Sequence, residues 1–128
     1  MILNLDFESE IPIYQQLRSQ IIEGIAMKKL KPGETLPSVR QMASDIGINM
    51  HTVNKTYTLL KQDGFITVHR QKGVTVNKMN KSMLTDEYLS RLKQNLRILI
   101  AEAACRGVNK DNFTETSLEI FSYLKKGE

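Results

Sequence analysis

The chain is 128 residues long, 41% hydrophobic and 25% charged, with a formal charge of +4. That length suits one compact domain or a small domain with a helical appendage, and the balance of apolar and charged residues excludes intrinsic disorder. Cys105 is the only cysteine, which rules out an internal disulfide framework and makes a reducing cytoplasm the expected setting. Residues 1–10 are acidic and no apolar run reaches about 18 residues, so neither a signal peptide nor a membrane span is expected.

Met1–Phe7 alternates loosely and is expected to lie extended against the body. Pro12 suits the first turn of a helix. Tyr14, Leu17, Ile21 and Ile25 then recur at helical spacing, with Ile22 widening the stripe. Gly24 inside this helix costs about 1 kcal/mol relative to alanine, which implies close packing against a neighbour. The helix fades at Met27-Lys28-Lys29, and Leu30-Lys31-Pro32-Gly33 reads as a short extended piece ending in a turn.

Pro37 stops what precedes it, and Ser38 with Gln41 forms the Ser-x-x-Gln pattern of a capping box. Val39, Met42, Ala43 and Ile46 share one face of the helix that follows. Gly47 stands where a left-handed residue ends that helix, and Asn49 caps the next. In this second helix Met50, Val53, Tyr57 and Leu60 face inward, leaving His51, Asn54, Lys55, Thr58 and Gln62 outward. Two short helices crossing at a glycine turn describe a helix-turn-helix, with the second helix placed to read a major groove.

Asp63-Gly64 ends that helix. Phe65–Val68 and Val74–Val76 are rich in β-formers and flank a basic tip, His69-Arg70-Gln71-Lys72-Gly73, so a hairpin wing is expected. Asn77–Met83 is polar and reads as a linker. Thr85 caps a further helix in which Leu89, Leu92, Leu96, Leu99 and Ala103 form a seam of about two heptads. Arg106-Gly107 closes it, and Asn109 or Asp111 opens a last helix. Phe113, Ser117, Ile120, Phe121 and Leu124 are expected on its inner face, with Lys125-Lys126-Gly127 as a favourable basic end. Two helices of this size cannot bury both stripes in each other, so the expected partner is the same pair from a second copy.

The fold class expected is therefore mainly α with a small β-hairpin. Residues 1–78 would form a winged helix-turn-helix and residues 79–128 a two-helix dimerisation tail. Charge follows the same division. From Lys28 to Lys78 nine basic residues stand against three acidic ones, whereas Met79 to Glu128 is nearly balanced at eight to seven. Positive charge concentrates on the module that would face phosphates.

Within that module Arg40 and Lys55 are the first candidates for phosphate or base contact. Asn54 is chemically able to bond an adenine edge in two places, and His51 to donate to a base or phosphate. Thr58 lies further along, for phosphate or water. Met50 is assigned to the core stripe, with a thymine methyl as its alternative. Arg70 and Lys72 at a wing tip would reach flanking DNA, and Gly73 would serve the turn. His51 and His69 share no metal-ligand spacing with Cys or Asp, and Cys105 sits among small and apolar residues as a packing element. No nucleophile set, phosphate-cradling glycine loop or paired carboxylates occur, so no enzyme, metal or cofactor is expected.

Pro32 to Val76 resembles the winged-helix domain of GntR-family bacterial transcription regulators. The shared features are the Pro-Gly-x-x-Leu-Pro-Ser lead-in, Arg40 two after Ser38, Gly47 in the turn, Thr52-Val53, and Asp63-Gly64. Ile11 to Leu17 (Ile-Pro-Ile-Tyr-x-Gln-Leu) and the short tail resemble the YtrA subfamily, whose members lack a large effector domain. The resemblance implies backbone or guanine contact at Arg40, groove approach by Asn49, Met50, His51 and Thr52, and outward placement of Asn54 and Lys55. It also implies minor-groove reach for Arg70, Gln71, Lys72 and Gly73, with Ser38 beginning the DNA-facing set. Many relatives carry arginine at the places of Met50 and Asn54, and glycine at that of Gln71, so base preference is expected to differ here. The function expected is a cytoplasmic, homodimeric, sequence-specific regulator of double-stranded DNA, a repressor at an inverted-repeat operator. The alternatives are a winged-helix protein-interaction module and a ligand-sensing regulator with a small interface pocket, whose effector is unknown.

Overall fold

A computed structural model of the chain describes residues 3–126, which divide into two compact units, residues 3–79 and Asn80–Lys126. Gly127 of the expected basic end and the first two residues of the expected extended segment lie outside the described range.

In the first unit α1 (Ile13–Ala26) begins after Pro12, whose φ of −55° is already suited to a helix start. Leu17 and Ile21 are fully buried. Two glutamines one turn apart bind the preceding segment to this helix. The Gln20 amide accepts from Asn4 N (2.8 Å) and donates to Asn4 O (2.7 Å), while Gln16 pairs likewise with Asp6 (2.8 and 2.9 Å). Leu3 and Leu5 thereby pack against the core. The glycine expected to mark a close approach does so. A Cβ on Gly24 would stand 3.0 Å from Leu30 Cδ1, because Leu30 folds back over the helix end with its N–H on Gly24 O (3.0 Å).

The Pro32-Gly33 turn closes through Glu34 N to Lys31 O (2.9 Å) and leads into β1 (Thr35–Leu36). Helices α2 (Val39–Ile46) and α3 (Met50–Gln62) follow, then β2 (Ile66–His69) and β3 (Gly73–Val76). The strands form one antiparallel sheet in the order β1-β3-β2, with Leu36 opposite Val74 and Val68 opposite Val74 on the other side. A hairpin alone was expected. The third strand is only two residues long, too short for alternation to reveal, and it lies downstream of the extended piece expected at Leu30–Gly33. The wing strands also run further than expected, since His69 pairs with Gly73 and the tip shrinks to Arg70–Lys72. Asn77 is no linker residue. Its amide donates to Gly64 O (3.0 Å) and accepts from Thr67 Oγ1 (2.6 Å), closing the base of the wing. Leu17, Ile21, Leu36, Met42, Val53, Tyr57, Leu60, Ile66 and Val76 make the core among these elements.

The second unit has a 3-10 turn (Lys81–Met83) and two helices, α4 (Asp86–Cys105) and α5 (Lys110–Lys125). Thr85 Oγ1 caps α4 by accepting from Tyr88 N (3.0 Å), and Asn109 rather than Asp111 caps α5. Neither helix buries a residue. Leu89, Leu92, Leu96 and Leu99 are all exposed, and Ala103 is half-buried. On α5 Phe113, Ser117 and Leu124 are half-covered as an inner face would be, but Ile120 and Phe121 are 55% and 63% exposed. Both residues belong to the stripe for which a second copy is the expected cover, and the single chain leaves them open. One helix of this width cannot shield the whole stripe of its neighbour.

Candidate nucleic-acid interface

The helix-turn-helix is built by local chemistry. Ser38 Oγ accepts from Gln41 N (3.1 Å), but Gln41 turns its own amide to Asp45 Oδ1 (2.6 Å), so only half of the expected capping box forms. Gly47 takes φ 78°, ψ 38°, and the N–H groups of Gly47 and Ile48 both return to Ala43 O (2.9 and 3.0 Å). This left-handed close is inexpensive for glycine alone. Asn49 Oδ1 then accepts from His51 N (2.7 Å) and starts α3.

Three polar ties fix α3 from behind. Tyr57 Oη donates to Pro37 O (2.7 Å), joining the helix to the lead-in of α2. Burial pushes the Tyr57 phenol pKa well above its ordinary value. Thr56, fully buried, donates to Tyr14 O (3.0 Å) on α1. Arg18 on α1 meets Asp63 at the end of α3 (2.8 Å). None of these was signalled by periodicity. Thr56 lies at inward spacing from Val53, and a hydroxyl on a buried stripe implies a nearby acceptor.

With its rear fixed, α3 turns its other side to solvent. His51, Asn54, Lys55 and Thr58 are exposed, Thr52 is half-buried, and no acidic residue occurs between Met50 and Gln62. Ser38, Arg40 and Asn49 are exposed beside them, as are Arg70, Gln71, Lys72 and Gly73 at the wing tip. Gly73 adopts φ 78°, consistent with its expected service to the turn. Met50 departs from expectation. It is 43% exposed and lines an open depression of about 540 Å³ with Val39, Asn49, His51 and Asn54, instead of packing in the core. At the first residue of α3 the side chain stays open to solvent, so the periodic stripe overruns the core by one residue.

At about 100° per residue, Asn54 and Met50 lie on the flank of α3 towards α2. Lys55 lies on the opposite flank, and its Nζ stands 3.9 Å from the centroid of the Tyr14 ring. The helix thus offers an imidazole and a hydroxyl (His51, Thr58), with the Asn54 amide to one side and the Lys55 ammonium to the other. That is the chemistry of base edges bordered by phosphates. Among the described residues no helix is long and apolar enough to cross a membrane.

Comparison with known proteins identifies the family. The profile of bacterial regulatory proteins, gntR family, matches residues 12–76. The HTH-type transcriptional repressor YtrA of Bacillus subtilis (strain 168) is 33% identical over 126 residues, which is 98% of this chain and 97% of the relative. A transcriptional antiterminator from Listeria monocytogenes EGD-e superposes with a TM-score of 0.92 at 26% identity, covering 98% of this chain and 93% of the other. YtrA from Sulfolobus acidocaldarius, a GntR-family transcription factor, superposes at 0.63 with 40% identity, over 82% and 99% of the two chains. The chain belongs to the gntR family of bacterial regulatory proteins, and is a DNA-binding transcription regulator rather than an enzyme.

Proposed function

We propose that the protein is a cytoplasmic repressor that binds an inverted-repeat operator in double-stranded DNA as a homodimer, with residues 1–78 binding DNA and residues 79–128 joining the two copies. The observation that carries the DNA-binding half is the outward face of α3, polar and free of carboxylates, in a unit that also exposes the cations Arg40, Arg70 and Lys72. His51, Asn54 and Met50 would approach base edges, Arg40, Lys55 and Thr58 the phosphates, and the wing tip the neighbouring groove. Ser38, Asn49 and Thr52 would hold the backbone of both helix starts against the duplex, and Gln71 and Gly73 would shape the tip.

The dimer is supported by the exposed leucine seam of α4 and by Ile120 and Phe121 of α5, an apolar surface that a lone chain leaves in water. Repression is the function carried by the YtrA relative of Bacillus subtilis, and occupying promoter DNA is the simplest way to achieve it. Selection of duplexes from a random-sequence pool by the full chain tests this proposal. The expected product is an inverted repeat with half-sites about one helical turn apart. Enrichment of no sequence, with no duplex retained at low ionic strength, would overturn it.

A further inference from the structure

We infer that Tyr14 is a positioning residue for DNA binding: its ring holds the Lys55 ammonium on the α1 flank of the recognition helix, where it meets a backbone phosphate. This rests on the DNA-binding role proposed for α3.

Lys55 Nζ lies 3.9 Å from the ring centroid, within the range in which the negative face of an aromatic ring attracts a cation. The Tyr14 backbone is tied to the same helix, because Tyr14 O accepts the buried Thr56 hydroxyl at 3.0 Å, and the residue that carries the ring is half-buried. Adjacent residues of α3 therefore engage one residue of α1, the first by its charge and the second by its hydroxyl. An exposed lysine ordinarily spreads over many rotamers, whereas this one is biased to a single flank. The places one turn away on α3 are held by His51, Thr52, Thr58 and Leu59, so no carboxylate on the helix competes for the charge. An ammonium resting on a ring keeps its remaining N–H donors directed away from it. On the flank of a groove-reading helix, away from Asn54, those donors face the sugar-phosphate strand rather than base edges. Tyr14 was expected to belong to the inward stripe of α1; it is half-buried, which leaves its ring face open to the lysine.

The test uses the full chain and a labelled random-sequence duplex of about 30 base pairs, since a phosphate contact is indifferent to sequence, titrated between about 50 and 200 mM salt. Lys55→Gln is expected to flatten the slope of log affinity against log salt by about 0.9 for each protomer bound. Tyr14→Leu is expected to weaken binding about two- to five-fold, and the double variant to be no weaker than Lys55→Gln alone. Restoring the ring as Tyr14→Phe is expected to recover the affinity. Thermal melts of each variant identify any loss that comes from unfolding, and Tyr14→Phe with Lys55→Gln keeps the test decisive if Tyr14→Leu does not fold. Three results would overturn the inference: additive losses in the double variant, a Tyr14→Phe chain as weak as Tyr14→Leu, or a salt slope unmoved by Lys55→Gln. In all three the wild type still binds, so the DNA-binding proposal stands; failure of the wild type to retain any duplex removes both.

Discussion

Tyr57→Phe removes one oxygen from the centre of the DNA-binding unit and leaves its packing intact. The lost bond is the 2.7 Å donation from Tyr57 Oη to Pro37 O, made by a side chain that is 3% exposed. A hydrogen bond of this kind contributes about 1 kcal/mol net, and the half-buried Pro37 carbonyl regains some water when its donor goes. Near neutral pH the variant is therefore expected to be about 1 kcal/mol less stable, a fall in Tm of about 4–8 °C for a unit of this size. The alkaline limb supplies the sharper test. Burial raises the folded-state pKa of the phenol above its unfolded value, so the folded protein keeps a proton that the unfolded chain releases. The stabilisation is complete below the unfolded pKa of about 10 and declines above it by up to about 1.4 kcal/mol per pH unit, until the folded phenol ionises. Phenylalanine has no proton to lose, and every other ionisable group is common to both proteins. Urea midpoints measured from pH 7 to strong alkali should show the wild type ahead, the gap closing above about pH 10 and reversing near about pH 11. A gap that stays constant through that range would refute both the burial of the hydroxyl and the assigned bond.

Thr56→Val keeps the shape of a fully buried side chain but removes its donation to Tyr14 O, and should cost about 1 kcal/mol in chemical denaturation. Arg18→Ala breaks a partly exposed ion pair with Asp63; a loss of about 0.5 kcal/mol that shrinks in high salt is expected from denaturation at two salt concentrations. Gly47→Ala meets no neighbour within 4 Å, yet its φ of 78° is strained for any Cβ, so about 1 kcal/mol of stability should be lost from backbone conformation alone. Arg40→Ala should weaken binding to every duplex sequence nearly equally and lower the salt slope by about 0.9 per protomer, read by fluorescence anisotropy.

Features fixed by neighbouring residues were legible in the sequence. Ser38, Asn49 and Thr85 cap helices as their residue types demand, and Gly47 takes the left-handed conformation its place between two stripes required. The exposed set His51, Asn54, Lys55 and Thr58 also followed from a 3.6-residue period. Periodicity failed where an element ended. Met50 continues the inward stripe arithmetically, but a stripe is buried only as far as something crosses it. Pairings between distant residues were illegible for another reason. The glutamine clamps on Asn4 and Asp6, the Asn77 closure of the wing and the Lys55–Tyr14 stack depend on crossing geometry, which no local pattern encodes. The two-residue β1 likewise rests on a distant pairing, Thr35 with Thr75 and Leu36 with Val74, which Gly33 N to Val76 O (2.7 Å) and Val76 N to Glu34 O (2.9 Å) extend at its start.

The ties on α3 are unevenly distributed, and this bears on how recognition works. Thr56, Tyr57 and the adjoining Asp63 bind its middle and end to α1 and to the α2 lead-in. The first turn, with Met50 and His51, is held by the Asn49 cap and by Val53 in the core, without a long-range side-chain hydrogen bond of this kind among the described residues. A helix anchored behind its midpoint keeps its register on the duplex while its first turn adapts to the base edges before it. Substitutions at the ties should therefore lower affinity for all sequences alike, by shifting the whole helix. Substitutions at Met50, His51 or Asn54 should change which sequences are preferred, at little cost to stability. Selection from random duplexes with Thr56→Val and Asn54→Ala separates the two, and an altered consensus from Thr56→Val would mean that the anchor itself helps to choose the bases.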